Sequence, residues 1–482
     1  MMLSKGEKTF SFFLRKFLIV QMAFILSFFY WSYLFFNSMP QIANDAIGYQ
    51  WLGELLYNKG LLQYIEAGPS REPLYPFLIS LAMRMADCFN VPYIAVQKIF
   101  QIFILFIAQY LFYRLLKRLN VHRSIIFISV LYFGFSPAIA NSAFSLYSEI
   151  ITYPFILGII LINAMCWRSL TGKGYRENIL GGWLLGILFV FIAFAKAIFE
   201  AIFPLFFIPY FCAAGYFFSK RQRKAFFNTL LLVLAAFLTF YTAIVSYKSL
   251  NLKYNGHFTL SDRGPWALYG NTARRMEKMT SKRVLAAFAY SMGEGACRSI
   301  FGESECKFWS YIPSDNYGYS KLGELEGSGI PKKDIDVTLI NLAKKEICSN
   351  PPQYLLFMIA EGLKMFFWES TKIGYVTYPP WQERIFNSTF VKNSLRFLIF
   401  LITFLSCIHS IHFLRKNKTK SFGLNSADDV IHYLLFSIMF LVFIYVSVHS
   451  FFFILTRYAL PIAPLYLALI AFGVNKIIFK RL

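Results

Sequence analysis

Asp45, in Asn44-Asp45-Ala46-Ile47-Gly48-Tyr49, places a carboxylate beside a phenol just past an apolar run. Such a carboxylate can take a proton from a sugar hydroxyl or help ligate a divalent ion; the plainer alternative is a helix N-cap. Arg71-Glu72-Pro73-Leu74-Tyr75-Pro76 sets a guanidinium ahead of a proline suited to a first helical turn. Arg71 can grip a phosphate or anchor on lipid headgroups. Glu149 closes a short polar stretch, Asn141–Glu149, and is a second carboxylate able to meet Asp45 as metal ligand or pKa partner. Lys196 and Glu200 bracket a turn between two apolar runs. Ionisable groups at such depth are functional candidates, with an (i, i+4) ion pair as the bland alternative. Arg457-Tyr458 opens the last apolar run, where a cation can hold a lipid phosphate or simply snorkel.

These residues are positioned by a chain built for lipid. Of its 482 residues, 57% are hydrophobic and 15% charged, 56 are Phe, and the mean hydropathy is +0.51. One soluble core cannot bury that much apolar surface, because such cores stop growing near 250–300 residues. A soluble enzyme, a disordered chain and a disulfide-rich secreted module are all excluded, and the expected fold class is an all-α polytopic membrane protein. The net charge of +23 comes in short basic bursts between apolar runs, the positive-inside pattern rather than a nucleic-acid footprint. The first run, Phe17–Phe36, is too long for the h-region of a cleavable signal.

The expected spans are Phe17–Phe36, Ile94–Tyr113, Ile125–Ile139, Ile150–Trp167, Ile179–Ala195, Ile198–Phe218, Phe226–Ser246, Leu395–Leu414, Ile431–Val448 and Tyr458–Val474. With ten spans and a cytoplasmic N-terminus, all six basic bursts face the cytoplasm, and so does the C-terminus. Leu74–Phe89 and Gln353–Phe367 are expected to lie on the interface as amphipathic helices; counted as spans they would raise the number to twelve. Three regions result: a transmembrane module 1–246 with two external loops, a large and structurally mixed external segment 247–393, and closing transmembrane helices 394–482. All acids but Glu7, Glu177, Asp428 and Asp429 fall on the external side, so chemistry is expected there. Cys88, Cys297, Cys306 and Cys348 also face outward, where disulfides can form. No Cys/His spacing reads as zinc, and no phosphate-binding loop or dinucleotide fingerprint offers a soluble nucleotide sugar a cradle.

Taken in order along the chain, these motifs resemble the integral-membrane glycosyltransferases of the GT-C superfamily, in the branch of protein O-mannosyltransferases and lipid A aminoarabinose transferases. Asp45 and Tyr49 are similar to the family's first-loop acid, and Arg71 through Leu78 to its basic/Pro–Tyr–Pro surface helix. Ser148-Glu149 is similar to its second-loop acid, and Gly186 through Lys196 to its glycine-containing fifth span. Arg457-Tyr458 with Pro461 and Pro464 matches its Arg-Tyr-x-x-Pro-x-x-Pro opening of a late span. The mannosyltransferases carry an Asp-Glu pair where this chain has Asp45-Ala46, and residues 247–393 match nothing in the family.

The resemblance implies inverting transfer of a sugar from a polyprenyl-phosphate donor to a glycan, lipid or protein acceptor on the outer face of a bacterial inner membrane. Asp45 and Glu149 would be catalytic and could share a divalent ion (Mg, Mn or Zn). Arg71, Lys196, Arg457 and Tyr458 would hold the donor phosphate, while Tyr49, Glu72, Tyr75 and Glu200 position substrate. Membrane lipid is an expected partner and nucleic acid is not. Two other classes compete. An O-antigen polymerase or ligase would work through Arg and His, of which the chain has six His. A lipid-linked-sugar flippase would want ionisable groups near the midplane.

Overall fold

The computed structural model describes residues 5–172, 174–275, 280–310, 312–371, 375–416, 427–452 and 454–479. Lys173, Lys418, Lys420, Lys480 and Arg481 of the basic bursts lie outside the described residues. The first half runs α1 (Lys5–Asn37), α2 (Asp45–Glu66), α3 (Leu74–Phe89), α4 (Tyr93–Arg118), α5 (Arg123–Phe135), α6 (Pro137–Phe144), α7 (Glu149–Gly172), α8 (Tyr175–Ala195), α9 (Ile198–Phe206), α10 (Ile208–Ser219) and α11 (Arg223–Asn255). There follow α12 (Arg263–Arg275), α13 (Ser281–Met292), α14 (Glu294–Phe301), α15 (Glu303–Phe308), α16 (Ile312–Gly327), α17 (Lys332–Ser349), α18 (Pro351–Leu363) and α19 (Pro380–Asn387). The chain closes with α20 (Thr389–Lys416), α21 (Ala427–His449) and α22 (Ala463–Phe479).

Among the described residues, 9 stretches are long and apolar enough to cross a membrane, and α5 with α6 make a tenth when counted as one span bent by 42°. The architecture is that of an all-α polytopic membrane protein. The two further stretches, α3 with 16 residues and α18 with 13, rise about 24 and 20 Å at 1.5 Å per residue, short of a core about 30 Å thick. α18 turns Leu355, Leu356, Ile359 and Leu363 outward and buries Tyr354, Phe357 and Glu361, as a helix lying against other structure does.

The expected continuous span Ile125–Ile139 is broken at Ser136-Pro137. Proline lacks the amide donor that would continue the helical ladder, and three donors at the break are gathered by the buried carboxylate of Glu369. It accepts from the Ala138 amide (2.9 Å), the Ser136 hydroxyl (2.7 Å) and the Tyr132 hydroxyl (2.8 Å). Gly182 and Gly186, four apart on α8, face α11. A Cβ on Gly182 would collide with the Leu232 carbonyl, and one on Gly186 would sit 2.8 Å from the Ala236 carbonyl oxygen. The two backbones therefore touch, as small residues permit between spans. A polar pin inside the bundle is Asn163, which accepts from Tyr210 (2.6 Å) and donates to Tyr433 (3.0 Å), tying α7 to α10 and α21.

Residues 247–393 are helical rather than mixed. Among the described residues the strand content is one antiparallel pair, β1 (Met39–Pro40) with β2 (Val376–Thr377). α12 packs with α16 and α17 around Trp266, Leu325, Ile335 and Leu339. α13 to α15 pack around Trp309 and Phe357, fastened by a Cys297–Cys306 disulfide. Cys88 and Cys348 are free thiols. The segment docks on the loop between α2 and α3: Asn255 donates to the Ile65 carbonyl (2.8 Å), the Asp262 amide to Pro69 (3.0 Å) and Arg263 Nε to Ser70 (3.2 Å). That docking brings α12 and α16 over the residues singled out above.

Candidate active site

α2 starts at Asp45, so this residue is inside the helix, not its N-cap; Asn44 takes that place and makes no capping bond. Its carboxylate meets three guanidiniums. Arg71 Nη2 donates to Oδ1 at 2.6 Å, Arg263 Nη1 lies 3.5 Å from the same oxygen, and Arg457 Nη2 donates to Oδ2. These arginines come from the loop before α3, from the start of α12 and from the turn before α22, so the cluster exists only in the folded chain. Burial alone would raise the Asp45 pKa, but the charges of Arg457, Arg71 and Lys196 outweigh it and hold the carboxyl below its usual range.

Lys196 and Glu200 do not form the (i, i+4) pair. Residues 196 and 197 form a break between α8 and α9, and the extended backbone of Lys196 aims its ammonium at Glu149 Oε1, 3.0 Å away. Burial lowers the Lys196 pKa, and Glu149, Tyr49 and Glu72 together more than restore it, leaving the ammonium firmly protonated. Glu200 turns instead to Lys248 on α11 (2.8 Å), so it stands outside the cluster. Glu72 accepts the Ala197 amide at 3.0 Å and thereby fixes the turn that presents Lys196.

Aromatic residues wall the site. The Arg71 guanidinium lies 5.3 Å from the Tyr49 ring centre, and Tyr49 donates to or accepts from Ser148 Oγ at 2.9 Å. Burial drives the Tyr49 pKa up to about 12, so it serves as a neutral hydrogen-bonding group. Tyr75 packs edge-on against Tyr49 and accepts from Gln101 at 2.9 Å, a supporting position behind the first wall. Arg457 lies 4.9 Å from the ring centre of Tyr147 and 5.7 Å from that of Tyr458, whose other neighbour is His449.

Several buried polar atoms here have no hydrogen-bond partner among the described residues: Arg71 Nε, Arg457 Nε, Glu149 Oε2, Tyr147 OH, Asp315 Oδ1 and His449 Nε2. Leaving such groups unmet costs about 1–3 kcal/mol each. Such a set of donors and acceptors can be met by a ligand. Arg71, Arg263, Arg457 and Lys196 are held by Asp45 and Glu149, and the Nε donors of Arg71 and Arg457 remain unmet, a set able to receive an anion. The donor set is poor for a divalent ion: Asp45 has both oxygens on guanidiniums, Glu149 holds an ammonium, and four cations would repel the metal. Among the described residues no group of three His, Cys, Asp or Glu side chains converges to hold one.

Sequence reasoning missed Arg263, Asp315, Tyr147 and His449. Arg263 had a faint signal, the turn-forming sequence Asp262-Arg263-Gly264-Pro265 a few residues after the run Phe226–Ser246. Asp315 had none beyond its tyrosine neighbours, because its approach to Asp45 depends on how α16 docks.

Fold and cluster together define a polytopic membrane protein with arginines, a lysine and carboxylates gathered beside the ends of its spans. No known family model matches the chain, and no curated protein does.

Proposed function

We propose that this protein is a membrane glycosyltransferase of GT-C type, which moves a sugar from a polyprenyl-phosphate donor to an acceptor on the extracytoplasmic face of a bacterial inner membrane. The observation that carries the reading is the convergence of Arg71, Arg263, Arg457 and Lys196 on Asp45 and Glu149, with unspent guanidinium donors, beside the ends of apolar spans. A lipid-linked phosphosugar needs this combination: a greasy flank for the chain and fixed cations where negative charge grows as phosphate leaves. Arg71 and Arg457 bind the donor phosphate and stabilise the leaving group. Lys196, held by Glu149, adds a fixed positive charge. Asp45 is the shared counter-ion of the arginines, which keeps mutually repelling guanidiniums together where the donor phosphate binds. Tyr49, Tyr75, Tyr458 and Glu72 fix the geometry of those cations, and no metal is required for these roles. The competing flippase reading wants ionisable groups near the midplane, and these lie beside the ends of spans.

The test is donor choice. Purified protein in lipid transfers sugar from a polyprenyl monophosphate donor and not from a free UDP-sugar. Equal activity with UDP-sugar alone, in a preparation free of donor-making enzymes, overturns the reading. Arg457→Ala weakens donor use by roughly 10- to 150-fold, the worth of a charge-assisted contact of about 1.5–3 kcal/mol.

A further inference from the structure

α16 carries a further carboxylate to the same centre. Asp315 lies in its first turn, and its Oδ1 is buried with no partner among the described residues. Asp45 and Arg457 are the charges that act on it, and it acts in turn on Tyr458, which places it at the arginine cluster. Tyr319, one helical turn on, shares its face. One side of the Tyr319 ring stacks on Trp266 of α12, with centroids 4.3 Å apart and planes at 28°. Tyr319 is 50% exposed, so its other side is free. The close approach of the two helices depends on Gly318, where a Cβ would fall 2.6 Å from the Trp266 carbonyl oxygen.

This is a carboxylate next to a rigid aromatic plate, one side chain free to take a proton and the other to take a sugar ring. Pyranose C–H groups carry partial positive charge and lie well on the negative face of a π-system. Asp45 is a poor base by comparison, since both its oxygens are engaged by guanidiniums. We infer that α16 forms the acceptor subsite, that the acceptor is a carbohydrate stacked on Tyr319, and that Asp315 is the general base that takes its hydroxyl proton. The inference rests on the proposed transferase reading.

In the step, the acceptor O–H proton passes to the Asp315 carboxylate as the acceptor oxygen bonds to the anomeric carbon. The anomeric carbon–oxygen bond to phosphate breaks, and its electron pair stays on the phosphate. Polyprenyl phosphate leaves with one more negative charge, facing Arg71 and Arg457, and Asp315 then yields its proton to water. Burial, with the nearby Asp45 charge, raises the Asp315 pKa to about 6, a value suited to accepting a proton near neutral pH. The other charged and titratable groups around α16 are Arg457 and Tyr458 before α22, Arg71 and Asp262 from the docking loops, Arg263 and Tyr269 of α12, and Asp336 and Glu346 of α17.

The test uses full-length protein in nanodiscs with polyprenyl monophospho-glucose, -galactose and -mannose as donors. The acceptors are de-acylated lipopolysaccharide oligosaccharide and a Ser/Thr-rich peptide. Transfer is expected to the oligosaccharide and not to the peptide. Asp315→Asn lowers kcat by at least about 100-fold, leaves polyprenyl phosphate binding intact, and removes an acid limb of the wild-type pH–rate profile near pH 6; Asp315→Glu restores part of both. Tyr319→Ala raises the oligosaccharide KM about tenfold with little change in kcat. Asp315→Asn protein that keeps more than about a tenth of turnover, or retains the limb, overturns the inference while the donor reading stands. Saturation-transfer NMR needs no donor: oligosaccharide binding in the wild type, lost in Tyr319→Ala, is expected, and no binding in the wild type overturns the subsite. Wild-type protein that binds oligosaccharide but transfers from none of the three donors counts against the transferase reading instead.

Discussion

Asp45→Asn tests the arginine cluster most directly. Asparagine keeps the shape and one acceptor oxygen but removes the charge that Arg71, Arg457 and Arg263 share. Removing one partner of a buried ion pair costs about 3–5 kcal/mol. The Asp45 side chain is 24% exposed, and solvent screening trims the expected loss to about 2–3 kcal/mol. The same change leaves the arginines without their counter-ion. An entering phosphate no longer displaces a carboxylate from contacts worth about 1.5–3 kcal/mol each, so it binds at least about tenfold tighter. Thermal unfolding in detergent, with and without polyprenyl phosphate, reads both effects, because a ligand of the folded state stabilises it in proportion to RT ln(1 + [L]/Kd). The Asn variant is expected to unfold several degrees earlier alone and to gain more from the ligand than wild type. The pH dependence has a definite sign: with a folded pKa below the unfolded value near 3.9, the Asp45 contribution is present above that value and lost as pH falls through the folded one. Wild-type stability therefore falls more steeply below about pH 4 than that of the variant. An Asn variant with unchanged unfolding and a ligand shift no larger than wild type would refute the counter-ion reasoning.

Three further expectations follow from the fold. Gly182→Val forces α8 from α11 at their backbone contact and destabilises by at least about 1–3 kcal/mol; a detergent melt equal to wild type counts against that packing. Reporter fusions in Lys220–Lys224 are expected on the cytoplasmic side and at Ser328 on the external side, and an external reporter at Lys224 overturns the ten-span topology. Cys297 and Cys306 resist alkylation until reduced, and Cys297→Ser lowers stability by roughly 2 kcal/mol for so short a loop; full alkylation of the unreduced, unfolded protein rules the bond out.

The spans were legible because hydropathy over 18 or more residues has no competing explanation, and every expected run coincides with a span-length helix or with the bent α5–α6 pair. The break itself was half-written in Ser136-Pro137, but the bend also needs Glu369, 232 residues from Pro137, to meet the Ala138 amide. The candidate site divides in the same way. Asp45, Arg71, Glu149, Lys196 and Arg457 were legible as ionisable residues at the ends of apolar runs, since lipid makes such residues expensive and therefore conspicuous. Their partners were not. The local rule pairs Lys196 with Glu200, four residues on, yet a helix break turns it to Glu149, 47 residues back. Residues 247–393 are the harder case, because a charged residue in a wet, helical segment carries no penalty that marks it. Arg263 and Asp315 gain their meaning only from the docking of α12 and α16 on the first loop. That docking also decides what Asp45 can do. Spacing left it open between base, metal ligand and helix cap, and only the family resemblance favoured catalysis; the docking adds three guanidiniums on its two oxygens, while Asp315 Oδ1 has no partner among the described residues.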